Sequence, residues 1–375
     1  MTSVENRKMY IYLIVFTICA TAGLQAWRTL FDNFAVTVIG LEGRHIGVIQ
    51  SVREIPGLLT FLVIYLLLLV KEHRLSALSI LLLGMGIGAA GYFPSFTGLM
   101  ITTLVMSFGF HYYETTNQSL TLQYFGVNQS PIVFGKQRSM AAASNIGIGI
   151  FIFFVSPYMS YSAIYLFVGS LIVMAGLWGL LQQPSDPNIT PQRKRMIFRK
   201  KYGLFYFLTF MAGARRQIFI AFAVFLLVKK FNFTVREITI LFLVNNLINY
   251  FLSPFIGRCI VKYGERKVLS LEYFSLIFIF IGYAMVDQRW MIACLYVADH
   301  IFFNFAIAIR TYFQKVGDPR DIAPSMSVSF AINHIAAVCF PVIGGLLWTM
   351  DYRIPFFCGA LFSAVSLAAV QRIRT

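Results

Sequence analysis

The feature that most limits this chain is a series of long apolar stretches, each wide enough to cross a bilayer. A helix rises ~1.5 Å per residue, so ~20 apolar residues cover the ~30 Å of hydrocarbon in a membrane. Twelve segments of the 375 residues fit that description: 9–38, 45–69, 75–93, 96–125, 138–157, 161–181, 203–229, 235–258, 268–286, 290–315, 323–349 and 353–371. The charged share is 12%, about half the ~25% of a soluble domain. That argues against a soluble enzyme, a disordered chain or a secreted disulfide scaffold. Five cysteines lie scattered, mostly inside apolar runs, with no CxxC or Cys/His spacing. Neither a disulfide nor a metal is implied, and no cofactor is expected. The stretch after Lys8 is too long for a cleavable signal peptide and has no small-residue cleavage site before its polar end.

Most connections between these segments are short. Residues 182–202 are the exception, being polar, Pro-containing and basic, and they divide the chain into six spans and six. The domains expected are a six-helix bundle over 1–182, a basic cytoplasmic linker over 183–202 and a second bundle over 203–375. With the N-terminus inside, inward-facing segments hold twenty Lys and Arg and outward-facing segments six. This is the bias of the positive-inside rule. It accounts for most of the net charge of +16 without nucleic acid as a partner. Both termini are expected in the cytoplasm, with the protein in a bacterial inner membrane.

Sliding the chain by 188 residues places Arg28-x-x-Phe31-x-x-Phe34-Ala35-Val36 on Arg216-x-x-Phe219-x-x-Phe222-Ala223-Val224, five identities in nine positions. The same offset pairs Tyr124-Phe125 with Tyr312-Phe313, and Ala143 and Asn145 with Ala331 and Asn333. Because each half has six spans, both enter the membrane in the same direction. The expected fold is therefore an all-α membrane protein of twelve transmembrane helices, as two six-helix bundles in a parallel pseudo-twofold repeat. This arrangement resembles the major facilitator superfamily. So does the run from Gly257 to Leu269 between spans 8 and 9, which is similar to that superfamily's signature loop G-x-x-x-D-x-x-G-R-[RK]. Gly257 and Gly264 would permit a tight turn, and Arg266 and Lys267 supply the cations. Val261 occupies the usual acidic position and Glu265 the first basic one. The resemblance implies alternating access, with spans 1, 4, 7 and 10 around a central site.

Ionisable groups inside a membrane are costly and tend to face a cavity or a partner. Arg28 and Arg216 stand at repeat-equivalent positions of spans 1 and 7. Their planar guanidinium forks suit a carboxylate or phosphate. The pair resembles organophosphate:phosphate exchangers of the same superfamily, which place one Arg on each of these spans. The plainer alternative pairs Arg28 with Asp32, one turn on. Arg215 points about 100° away from Arg216, so one of them is expected in the cavity and the other against a neighbouring helix. Arg310, Asn145 and Asn333 complete the substrate-binding candidates, although both asparagines also suit helix–helix hydrogen bonds.

His111, Glu114 and Gln118 share one face of span 4 and Asp299 stands where the repeat puts His111, so with Asp32 and Glu54 these carboxylates and imidazole are the candidates for proton coupling. Either a titrating site or a static hydrogen-bond cluster fits them. Adjacent Arg53 and Glu54 point apart on an ideal helix and are expected not to pair with each other. Pro56 should bend span 2. Gly84, Gly86, Gly88 and Gly91 on span 3 read as close helix packing.

The function expected is a secondary transporter of a small organic or phosphorylated anion, working as a monomer, coupled to protons or to exchange. The alternative is a proton-coupled exporter of lipophilic or cationic compounds. The sequence carries no Walker A motif, HExxH or GxSxG, so an enzyme is not expected.

Overall fold

The computed structural model describes residues 6–184, 186 and 188–374, and the described residues are helical or irregular with no strand. Helix occupies each of the twelve expected segments. In the first half α1 (Arg7–Val38) ends in a π-helical turn at Phe34–Val38, and four helices run uninterrupted: α3 (Glu72–Ala90), α4 (Phe96–Tyr124), α5 (Ser130–Val155) and α6 (Tyr161–Leu181). Between α1 and α3, α2 runs over Gly43–Leu58 and continues through a 3-10 turn, Leu59–Leu62, into Val63–Leu66. In the second half, α7 comprises Gly203–Ile218, a π-helical turn at Phe219–Ala223, and Val224–Lys229. Then follow α8 (Val235–Tyr263), α9 (Glu265–Met285), α10 (Arg289–Phe303 continuing to Val316), α11 (Ile322–Met350) and α12 (Ile354–Val370).

Among the described residues, nine helices are long and apolar enough to cross a membrane by themselves. The segments of α4, α7 and α12 fall outside that group for separate reasons. The last is short, at 17 residues. On α4 the polar run Thr115–Thr121 faces inward instead of outward, and Thr115, Thr116 and Thr121 hydrogen-bond carbonyls one turn back, at His111, Tyr112 and Asn117. Those bonds satisfy hydroxyls that lipid could not. Large apolar side chains instead cover the outside, among them Phe154, Leu177, Phe251, Phe278 and Leu346. The chain is a multi-pass membrane protein.

The chain forms two compact units. The first comprises Met1–Gly126, Met140–Ile197 and Pro319–Ala331; the second comprises Val127–Ser139, Phe198–Asp318 and Ile332–Thr375. In the first, α3 packs between α4 and α6, α1 lies on α6 and α2 on α4. The second repeats this scheme, with α9 against α10 and α12, α7 on α12 and α8 on α10. The same partners in the same order are what a parallel repeat of six helices produces.

The packing of α3 explains its glycines. A Cβ on Gly84 would sit 2.8 Å from the Gly169 carbonyl oxygen, and one on Gly169 would run into the backbone of Gly88. Gly86 meets the backbone of Met106 on α4, and Gly91 meets Ser162, whose hydroxyl bonds the Gly91 carbonyl at 2.6 Å. Each glycine thus removes a side chain at a backbone-to-backbone contact.

One end of the second unit is tied by Lys230. Its ammonium lies 2.7 Å from Asp287, in the α9–α10 turn, and 2.5 Å from the Tyr352 hydroxyl, in the α11–α12 turn. Arg353 Nε also donates to Tyr352, at 3.2 Å. The hydrogen bond from Lys230 holds the Asp287 carboxyl below its ordinary value. Partial burial alone would raise the Tyr352 phenol, and the bonds from Lys230 and Arg353 outweigh it and lower it.

Two predictions follow from this packing and from Lys230. Gly169→Ala should destabilise the purified protein by about 1–3 kcal/mol through overpacking. Gly147→Ala, with open space around it, should leave the thermal midpoint unchanged or raise it. The contribution of the Lys230–Asp287 pair should be fully present above the ordinary carboxyl value of 3.8 and disappear as pH falls through the lowered folded value. Thermal midpoints of wild type and Asp287→Asn measured against pH should therefore converge only in strong acid.

Candidate functional site

Two neighbouring residues on α7 receive opposite treatment. Arg215 is fully buried, whereas Arg216 is exposed. The guanidinium of Arg215 stacks 4.3 Å over the Tyr273 ring, donates a hydrogen bond to Ser366 on α12, and lies 3.8 Å from Glu272 on α9. Arg215 is thus the one held against neighbouring helices, and it reaches no surface. Helical geometry turns Arg216 the other way. The repeat puts buried Trp27 where Arg215 stands and exposed Arg28 where Arg216 stands.

Around Arg28, the exposed positions of α1 are Thr29, Asp32, Asn33, Val36, Thr37 and Val38, with half-buried Gln25 bonded to Thr29 at 3.2 Å. This mostly polar stripe on a membrane-length helix is a surface for water or solute, not for hydrocarbon. Both arginines stand shortly before a π-helical turn, at Phe34–Val38 in α1 and Phe219–Ala223 in α7. Such turns interrupt the regular hydrogen-bond ladder and recur at functional sites. Nothing in the residue pattern announced them.

Arg53 and Glu54 correct the sequence expectation. They do pair with each other, at 2.5 Å, and the Arg53 guanidinium also lies 5.7 Å over the Trp27 ring. Long side chains bend toward one another where an ideal-helix projection separates their Cβ atoms. Ser107 on α4 donates to the Arg53 carbonyl at 2.5 Å, fastening α2 to α4 beside Pro56. On α4, His111 and Gln118 are buried and Glu114 half-buried. His111 contacts the ring of Phe330 at 6.2 Å. Asn145 is half-buried on α5.

In the second unit, Arg310 lies over Phe134 at 5.7 Å. Asn333 donates to the Thr209 carbonyl at 3.4 Å and packs against Gly213, joining α11 to α7. Asn249 accepts from Asn304 at 2.6 Å between α8 and α10. Asp299 is fully buried on α10.

The loop candidates divide. Gly264 has φ of +80° and forms the sharp turn between α8 and α9. Gly257 does not belong to that turn. The helix α8 runs on to Tyr263, and Gly257 instead allows its backbone to approach the Pro131 carbonyl. Arg266 donates to Gln371 at 3.0 and 3.1 Å, while Lys267 is exposed. Glu265, at the signature's first basic position, is fully buried and pairs with Lys315 at 2.7 Å.

Sequence reasoning missed Glu272 and noted Glu265 only as a departure from the signature loop. The available signal was a lone acid in the apolar run Leu269-Ser270-Leu271-Glu272-Tyr273-Phe274. Removing one partner of a buried ion pair leaves the other uncompensated, so Arg215→Ala should cost about 3 kcal/mol of stability. Arg216→Ala should leave the thermal midpoint of the purified protein within the scatter of wild type.

The sequence model of the Major Facilitator Superfamily matches residues 10–308. No curated protein matches the sequence. Solved structures share the fold along nearly the whole chain. A Major Facilitator Superfamily transporter, FucP, in the outward conformation superposes with a TM-score of 0.78 at 11% identity, over 98% of each chain. A bacterial homologue of the iron transporter ferroportin, in an outward-facing state, gives 0.78 at 12% identity over 97% of this chain and 98% of that one. The human organic anion transporter MFSD10 gives 0.73 at 10% identity over 98% and 99%. With membrane-length helices, a packing scheme repeated in the two units and this family match, the chain belongs to the Major Facilitator Superfamily and is a membrane transporter, not an enzyme.

Proposed function

We propose that the transporter moves a small organic or phosphorylated anion by alternating access, coupled to protons or to counter-exchange. The observation that carries this reading is the pair Arg28 and Arg216. They are repeat-equivalent, and each is exposed on its own unit. A charged side chain at the centre of a bilayer costs ~2.5–3.5 kcal/mol on insertion scales, so a guanidinium exposed on a membrane helix calls for a wet surface. Arg cannot discharge itself by losing a proton, and its fork binds carboxylate or phosphate through two hydrogen bonds. Arg215 is already engaged by Ser366, Tyr273 and Glu272, which leaves Arg216 as the substrate contact on α7.

Solved transporters of the same fold are named for fucose with protons, for organic anions and for iron. The fold therefore leaves the cargo open, and the local charge supports an anion. The excess of Lys and Arg on alternate connections supports an orientation with both termini in the cytoplasm.

Uptake by proteoliposomes tests the reading, with inorganic phosphate, sugar phosphates and small carboxylates as the panel. Arg28→Ala with Arg216→Ala should cut uptake of the transported anion at least about 100-fold. Arg216→Lys, which keeps the charge and loses the fork, should fall between that variant and wild type. Uptake at full rate in the double variant would contradict the anion site. Efflux of cationic dyes that ignores both arginines would favour the proton-coupled exporter.

A further inference from the structure

One face of α8 carries an apolar groove that ends in two unpaired cations. The groove, about 420 Å³ and open on one side, is lined by Leu247, Ile248, Phe251, Leu252 and Phe255. Pro254 lies inside the helix at this level and has no N–H to bond the Tyr250 carbonyl one turn back. Ser139, at the start of α5, donates to that carbonyl instead, at 2.6 Å. Gly135 and Gly257 let the two backbones meet, since a Cβ on the first would run into the Ser253 carbonyl and one on the second into the Pro131 carbonyl. The start of α5 therefore holds α8 along one side, and on another side Asn249 bonds Asn304 of α10. The groove face is left open, and Phe251 is 69% exposed there.

Phe251, Phe255, Arg258 and Lys262 follow at steps of four, three and four residues, which keeps them within about 60° of one helix face. Arg258, Lys262 and Tyr263 are exposed. Among the described residues, the side chains of Arg258 and Lys262 have no ion pair or hydrogen bond, and Lys262 lies 5.1 Å over the Tyr263 ring. Other cations at this end are engaged, Arg266 by Gln371 and Lys315 by Glu265. Leu247 and Arg258 stand eleven residues apart, about 16 Å of helix rise, which is close to half of the ~30 Å hydrocarbon core. The groove thus has the depth of one leaflet's acyl chains, and the cations stand where headgroups begin. Tyr263 suits the same level, because tyrosine concentrates at the membrane–water interface. A second copy of the chain on this face would set Arg258 and Lys262 against their own equivalents at the same depth. No acid would offset them, since the one acidic residue of α8 is Glu237, near its other end.

We propose that this face of α8 binds an anionic phospholipid, with an acyl chain along Leu247–Phe255 and the headgroup phosphate on Arg258 and Lys262. A zwitterionic lipid brings its own cation beside the same phosphate, so the two basic side chains select a headgroup of net negative charge. The site is separate from Arg28 and Arg216 and does not depend on which solute is carried.

Native mass spectrometry of the purified full chain tests this, with phosphatidylglycerol and phosphatidylcholine of identical acyl chains as the probes. Wild type should retain phosphatidylglycerol about tenfold better than phosphatidylcholine. Arg258→Gln with Lys262→Gln should remove that preference, and Phe251→Ala should weaken retention of both lipids. All three side chains are exposed, so these substitutions leave interior packing intact. Equal retention of the two lipids by wild type would overturn the proposal, as would a preference undiminished in the double variant. A preference lost in Arg28→Ala with Arg216→Ala, and kept in Arg258→Gln with Lys262→Gln, would move the phosphate to the other arginines and overturn it. So would a second protein copy that displaces the lipid from wild type, because the face would then belong to a dimer.

Discussion

A charge placed inside a membrane must be neutralised by a partner or kept wet, and this requirement organises the second half of the molecule. Arg215 and Arg216 are neighbours in sequence, and the helix sends them to opposite fates. Arg215 goes inward, where an aromatic face, a serine hydroxyl and a distant carboxylate replace the water it lost. Arg216 goes to the surface of its unit. The first unit reaches the same end differently. It buries Trp27 and exposes Arg28, and it holds Arg53 by pairing with Glu54 and resting on the Trp27 ring.

The two units share a packing scheme without sharing its chemistry. In the first, α3 and α6 meet through glycines on both sides, so that backbone lies on backbone. In the second, the corresponding contact of α9 with α12 sets Gly359 against the ring of Phe280. Close approach and aromatic filling are alternative ways to reach interior packing density. A repeat can therefore keep its topology while its sequence drifts, which fits solved relatives that superpose along the chain at 10–12% identity.

Much of the fold was legible because the membrane imposes a length on every span. The twelve apolar segments correspond to helices, and the glycines of span 3 do lie at close contacts. The error at Gly257 has the same origin. Apolarity ends near Arg258, but the helix does not, since backbone hydrogen bonds continue to Tyr263 whether or not the side chains are polar. The site was less legible. Side-chain reach decides whether Arg53 meets Glu54, and helix projection ignores reach. Glu272 sat unnoticed in an apolar run because its partner Arg215 lies 57 positions away in sequence and meets it only in the packed bundle. The π-helical turns after Arg28 and Arg216 carry no composition signal at all.

We propose that Arg28 and Arg216 contact a negatively charged solute and that Arg215, engaged by Ser366, Tyr273 and Glu272, does not. Ligand-induced thermal stabilisation of the purified protein reads this most directly, because a solute bound only by the folded state raises its melting temperature with the logarithm of its concentration above the dissociation constant. A matched series of carboxylates and phosphates beside their uncharged and cationic analogues should give shifts for the anions alone, and Arg216→Ala should abolish them. Stabilisation by the neutral or cationic members, undiminished in Arg216→Ala, would contradict the claim.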